Sequence, residues 1–277
     1  MTTLNSTTNT APTRDRFASA EYADHQARLP RIQALRGEKG DVDCGYFITQ
    51  AEMEKAGWYD LQAKDLMTYE FNSGSKEQGL LIKSPRMLVV PRSPLFAFDR
   101  QLSMQEKRML IVGAYSRQLH GEREKYGLGQ YYEVLLLNQN NEPLHETSFA
   151  YLAKGSNQAS FNTHWQQLVN EVTRLHATAN QIPSRPKDER FNALCVFEFT
   201  VKRELAGNNL KSPACKVDGH VSPTPDNWER YFLGRQSATA DLFLNLLAPA
   251  SPNMGSVQSQ TMALPPAEGV FVEGEFA

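Results

Sequence analysis

Cysteine is scarce in this chain of 277 residues: Cys44, Cys195 and Cys215 are odd in number, widely spaced and without a CxxC pair. That pattern excludes a disulfide framework and leaves the thiols as buried or idle groups in a reducing compartment. Cys215 and His220, in "CKVDGH", stand five positions apart. A zinc site takes three or four ligands, and the other histidines offer no matching spacing, so no metal site is read. Long apolar runs are also missing. Mean hydropathy is -0.50, and a membrane-crossing helix needs about 20 consecutive apolar residues. The polar opening "MTTLNSTTNTAPTRDRFASAEYADHQ" lacks the apolar segment of a secretory signal. The expectation is a cytoplasmic protein with no membrane partner.

Catalytic signatures are absent in the same way. There is no phosphate-cradling glycine loop, no GxSxG and no HExxH. "KYGLGQYY" holds a GxG, but it precedes an expected strand, where glycines mark a turn. The six histidines, His25, His120, His145, His164, His176 and His220, are scattered, which reads as packed or surface imidazole. No constellation with assignable roles emerges. The reading is therefore non-enzymatic, without cofactor, and an enzyme with an unrecognised site is the third choice.

What the chain does have is asymmetry. Residues 248–277 carry Glu268, Glu273 and Glu275 and no Lys or Arg, while residues 83–118 carry seven basic residues against two acidic ones. A basic body segment with an acidic tail is a pattern of nucleic-acid partners. Hydropathy patterning divides the chain into an arm at 1–27, one β-rich domain at 28–247, and a flexible linker with an acidic, aromatic tail at 248–277. In "RLPRIQALRG", Leu29, Ile32 and Leu35 share a spacing of three. "DCGYFI" reads as a strand, and "TQAEMEKAGW" as a helix capped by Thr49 and stopped by Gly57. From Met67 to Gly155 the period is two, with a hairpin joining "LMTYEF" to "QGLLIKS". Pro91 and Pro94 suggest an edge or a bend. Trp165, Leu168, Val169, Val172, Leu175 and Ala179 mark one face of a central helix, capped by Ser160 or Asn162. "FNALCVFEFTVKREL" and "KSPACKVDG" form a returning strand pair, and a helical segment follows Trp228. The fold class is α+β and β-rich: an antiparallel curved sheet or small OB-like barrel with one central amphipathic helix and a C-terminal helical segment.

Cations interleaved with aromatic residues suit single-stranded nucleic acid, where charges track phosphates and rings stack on bases. Lys83, Arg86, Arg92, Arg100 and Arg117 are the phosphate candidates. Tyr126, on an expected loop, and Tyr131 or Tyr132, on opposite strand faces, are the stacking candidates. Lys154 precedes the central helix, where backbone N–H groups favour an anion. Phe96 and Phe98 alternate onto one face as core. The tail "EGVFVEGEFA" supplies Glu268, Phe271, Glu273, Glu275 and Phe276. It resembles the plan of proteins that coat single-stranded DNA, a β-barrel body with an acidic tip that recruits replication and recombination proteins.

"LPRIQALRG", "CGYFI", "PRMLVVPRSPLFAFDR", "YYEVLLLN", "FNALCVFEF", "KSPACKV" and "NWERYFLG" together resemble an uncharacterised family, a domain of unknown function met in cyanobacterial genomes, plasmids and phage-like regions. The resemblance covers Leu29 to Gly234. It implies no catalytic residue and points to a mobile-element or DNA-maintenance setting. The leading expectation is a homo-oligomeric single-stranded nucleic-acid binder, DNA rather than RNA. The second is a structural or assembly protein of a phage-like or plasmid system.

Overall fold

The computed structural model describes residues 29–106, 108–207, 211–235, 240, 241, 243 and 244. The expected arms at 1–27 and 248–277, with the tail residues Glu268, Phe271, Glu273, Glu275 and Phe276, lie outside the described residues.

β1 (Arg31–Arg36) and a 3-10 turn (Asp41–Asp43) lead to β2 (Cys44–Thr49) and α1 (Gln50–Ala56). Thr49 caps α1 as expected, its hydroxyl accepting from Glu52 N at 3.3 Å, and Gly57 ends it at φ 66°. The Glu52 carboxylate accepts from Arg31 N at 2.7 Å, which joins the helix to β1. The expected hairpin forms from β3 (Leu66–Glu70) and β4 (Lys76–Ile82). β5 (Arg86–Pro91), β6 (Phe96–Asp99), α2 (Arg100–Gln105), β7 (Ile111–Ala114) and α3 (Arg117–Gly121) follow. Then come β8 (Tyr126–Leu136), β9 (Phe149–Lys154), α4 (Gly155–Ala179), α5 (Glu189–Ala193), β10 (Phe197–Ala206) and β11 (Ser212–His220). Two 3-10 turns, Trp228–Tyr231 and Leu233–Arg235, stand in the expected C-terminal helical segment.

The strands form one 11-stranded sheet in the order β11-β10-β5-β8-β9-β1-β2-β4-β3, with β6 and β7 branching from β8. β1 runs parallel to β9 and the other pairs are antiparallel, so the sheet is mixed. Its path ends at β11 and β3 without closing. The fold is thus α+β and β-rich, with an open curled sheet in place of a small OB-like barrel. β5 is an interior strand, contrary to the reading of Pro91. The proline closes the strand opposite Tyr132, and Pro94 takes the bend to β6.

One face of the sheet wraps α4. Phe161, Trp165, Leu168, Val169 and Val172 are buried on the helix, together with Tyr46, Tyr132, Tyr151, Phe197 and Phe199 from the strands. The helix starts earlier than its expected caps because Ser160 is committed elsewhere. Its hydroxyl donates to Asn157 O at 3.1 Å and accepts from Val217 N of β11 at 3.1 Å. The opposite face holds two smaller clusters: Leu35, Phe47, Tyr69 and Phe71, and Phe96, Phe98 and Met109 with Tyr131 and Leu152 against them.

The GxG of "KYGLGQYY" is not a turn. Gly127 and Gly129 lie inside β8, opposite Phe98 and Phe96 of β6. The rings occupy the glycines' missing side-chain space: a Cβ on Gly127 would stand 2.4 Å from Phe98 Cζ, and one on Gly129 2.9 Å from Phe96 Cε2. His145 is an interior histidine, 0% exposed and stacked on Trp58 at 5.6 Å. Its Nε2 accepts from Leu136 N at 2.9 Å, so Nδ1 carries the proton and donates to Thr147 O at 2.8 Å. Burial pushes its pKa down to about 4.

Two outcomes follow. Gly127→Ala displaces a buried ring and costs about 1–3 kcal/mol, read as a lower midpoint in urea. The His145 pKa of about 4 in the folded chain lies below the unfolded value of about 6.5. Its contribution is therefore complete above pH 6.5 and is lost as pH falls toward 4. Between pH 7 and pH 5 the folded state loses about 2 kcal/mol from this group. Urea unfolding of the wild type and His145→Asn at both pH values should show that difference shrinking in the variant.

Candidate nucleic-acid interface

Tyr132 and Tyr131 settle the geometry of β8. Tyr132 is 1% exposed, its ring 5.0 Å from Phe161 and its hydroxyl donating to Gln130 Oε1 at 2.8 Å. It belongs to the α4 face and cannot stack a base. Tyr131 points the other way, since successive strand residues alternate. It is half-buried beside Phe96, ring centroids 5.4 Å apart. Burial pushes its phenol up to about 12, with the Arg31 charge opposing. The same face carries Lys154, which is in register with Gly129, and Gly129 is in register with Phe96. Arg31 joins it through its register with Ala150, the partner of Glu133.

The expected phosphate contacts divide. Arg86 is 3% exposed and is spent inside the protein. Its guanidinium pairs with Glu198, donates from Nε to Asn141 Oδ1 at 3.2 Å and from Nη2 to Arg230 O at 3.0 Å, and lies 5.1 Å over the Tyr231 ring. It is a clamp between β5, β10 and the Trp228–Tyr231 turn, not a phosphate contact. Arg92 donates from Nε to Glu133 Oε2 at 2.6 Å. Glu133 is 1% exposed and also accepts from Ser148 Oγ, so Arg92 balances a buried carboxylate at the rim of the Tyr131 face.

Arg100 opens α2, half-buried, with its backbone N–H on Lys125 O at 3.0 Å. Burial, and then the Arg36 charge, lower its pKa. Tyr126 is part of β8 and half-buried, not on a loop, and Lys125 Nζ lies 5.0 Å over its ring. Arg117 is exposed at the start of α3. Lys83 is exposed at the β4–β5 turn, where it donates to Asp41 O at 2.8 Å, among residues unrelated to Tyr131. The structure thus gathers Tyr131, Arg92 and Lys154 on one sheet face and Arg100 with Tyr126 at the adjoining β6–β8 end. Lys83 stands apart. Lys154 flanks α4 without a side-chain cap, and Gly155 turns the chain there at φ 54°.

Sequence reasoning missed Arg31 and Arg36, whose neighbours come from other strands, and Lys125, which lies over the ring of the next residue. It also missed a polar cluster on the far side of α4. His164 Nδ1 lies 3.0 Å from His220 Nδ1, His220 Nε2 lies 3.4 Å from Glu171, and Ser222 Oγ donates to Glu171 at 3.4 Å. Burial, then the His220 charge, lower the His164 pKa. These residues are too far apart in the chain for a spacing to announce them. Among the described residues, no three His, Cys, Asp or Glu form a metal-holding group, and no helix is long and apolar enough to cross a membrane. An open groove of about 540 Å³ between α4 and residues 184–187 carries Arg174, Arg185 and Lys187.

A family model described as Domain of unknown function (DUF5895) matches residues 26–263, and the chain belongs to that family. Uncharacterized protein 254L of Invertebrate iridescent virus 6 is 27% identical over 175 residues, which is 60% of this chain and 50% of the viral protein. The chain covers half of that relative's length. No solved structure matches it.

Removing Arg86 takes the cation from the Glu198 carboxylate and the donor from Asn141 Oδ1, and leaves Arg230 O with the Asn141 amide as its donor. Arg86→Ala is expected to cost about 3–5 kcal/mol, as for a broken buried pair, measured by urea unfolding at pH 7. A loss under 1 kcal/mol would contradict the clamp.

Proposed function

We propose that this DUF5895 protein is a non-enzymatic binder of single-stranded nucleic acid, DNA rather than RNA, acting in replication, recombination or the maintenance of a mobile element. The observation that carries the reading is the sheet face opposite α4. There Tyr131 and Phe96 pack 5.4 Å apart, with Lys154 and Arg31 on the neighbouring strands and Arg92 at the rim. A strand laid across that face meets a ring for a base and cations for its phosphates. Arg100, Tyr126 and Arg117 extend the track, while Arg86 and Tyr132 leave the set because their side chains are interior. The acidic tail, Glu268 to Phe276, supplies the contact for replication or recombination proteins.

A second reading, a structural or assembly protein forming homo-oligomers, draws on β7. Among the described residues this strand pairs only with β6, and it exposes Ile111 (42%), Val112 (48%) and Tyr115 (42%) at its end. An apolar edge strand is a template for another chain.

Fluorescence anisotropy of a labelled poly-dT oligonucleotide, titrated at several salt concentrations, tests the first reading. Affinity should fall steeply with salt as counterions are released. Tyr131→Ala should weaken binding by roughly 5- to 150-fold, the equivalent of one stacked base at about 1–3 kcal/mol. Lys154→Ala should reduce the salt slope by about 1. No binding of any single strand at low salt would overturn the proposal. Large assemblies free of nucleic acid, seen by light scattering, would favour the second reading.

A further inference from the structure

The sheet curls until its two arms meet, and no backbone ladder joins them there. β1 touches β11 and β2 touches β10 without being paired in the sheet. Side chains close the seam. Tyr46 of β2 packs on Phe199 of β10, centroids 5.5 Å apart. Asn157 donates from Nδ2 to Cys215 O at 2.9 Å and accepts from Tyr151, whose ring lies 5.2 Å from that of Tyr46. Arg203 of β10 donates from Nε to Gly37 O, beyond β1, at 2.6 Å.

Two of the three cysteines stand on opposite banks of this seam. Cys44 opens β2 opposite Arg36, and Cys215 lies in β11 opposite Arg203. Gly37 marks how near the banks are. A Cβ built on it would lie 2.9 Å from Cys44 Cβ and 3.0 Å from Arg203 Cδ. Both thiols are buried, and each shifts the acidity of the other. The neighbouring Cys215, helped by Lys83, lowers the pKa of the Cys44 thiol, while Cys44 and burial raise that of Cys215. Cys195 is remote from the pair, its thiol donating to Phe191 O at 3.6 Å.

We infer that Cys44 and Cys215 are a thiol–disulfide pair that covalently closes the seam, with a low-molecular-weight disulfide as the oxidant. The Cys44 thiolate attacks one sulfur of the small disulfide, forming a mixed disulfide and expelling one thiolate, which takes the proton Cys44 gave up. The Cys215 thiolate then attacks the Cys44 sulfur of that mixed disulfide. The protein S–S bond forms, and the second small thiolate leaves and takes the Cys215 proton. Two protein thiols are oxidised and one small disulfide is reduced to two thiols. Entry of the oxidant requires the banks to part, and here parting breaks side-chain contacts without unzipping a ladder. The inference is independent of nucleic-acid binding.

The test treats the folded full chain with oxidised glutathione. It then unfolds the chain in urea with N-ethylmaleimide and maps peptides by mass spectrometry. The expected result is a single maleimide adduct, on Cys195, and a linked peptide pair containing Cys44 and Cys215. Dithiothreitol should restore all three adducts. The oxidised protein should melt at least about 5 °C higher, because the link closes a long loop. The same reaction on urea-unfolded chain should give mixed pairings that include Cys195. Three adducts after treatment of the folded chain, glutathione adducts without a cross-link, or links to Cys195 in the folded chain would each overturn the inference. Cys195→Ser should leave the 44–215 link intact. The wild-type peptide map decides the matter if that variant does not fold.

Discussion

Phe161, in the second turn of α4, touches five aromatic rings. Tyr46 comes from β2, Tyr132 from β8, Tyr151 from β9, and Phe197 and Phe199 from β10, with centroids between 5.0 and 6.4 Å. Strands far apart along the sheet can meet one side chain only if the sheet bends round it. The curl, the seam between its arms and the division into a helix-facing side and a free side all follow from that contact. Rings at these distances interact beyond their buried area by about 0.5–1.5 kcal/mol per pair, so the cluster fixes a shape as well as excluding water. The polar atoms drawn into it are satisfied locally: Tyr151 donates to Asn157, and Asn157 to the β11 backbone.

The division between the two faces explains what could be read from the chain. The β3–β4 hairpin, the capped α1, the apolar stripe of α4 and the β10–β11 pair depend on neighbours in sequence, and their patterns are plain. β1 was obscure because Ile32 belongs to the α4 core and Leu35 to the opposite cluster, which turns a strand's alternation into a spacing of three. β8 reads as a loop followed by a strand because its glycines look like a turn until the rings of β6 fill their space. At the site, the opposite orientations of Tyr131 and Tyr132 were legible from alternation alone. The fate of the arginines was not. Arg86 finds its partners 55, 112 and 144 residues away, and Arg92 balances a glutamate 41 residues on. A count of positive charge cannot distinguish such internal counter-ions from solvent-facing ones.

The place of β1 bears on how the molecule is made. It is the first strand among the described residues and an inner strand of the sheet, between β2 and β9. Its antiparallel partner follows within a few residues, so β1, β2, β4 and β3 can assemble as a four-stranded unit as soon as they leave the ribosome. Its parallel partner arrives roughly 120 residues later, from Arg31 to Ala150, a wait of roughly 6–24 s at about 5–20 residues per second. Throughout that interval the nascent four-stranded unit presents an unpaired inner edge, the kind of surface on which neighbouring chains pair wrongly. Translation speed and chaperone holding therefore bear on the yield of native protein more directly at this edge than at the strands that end the sheet.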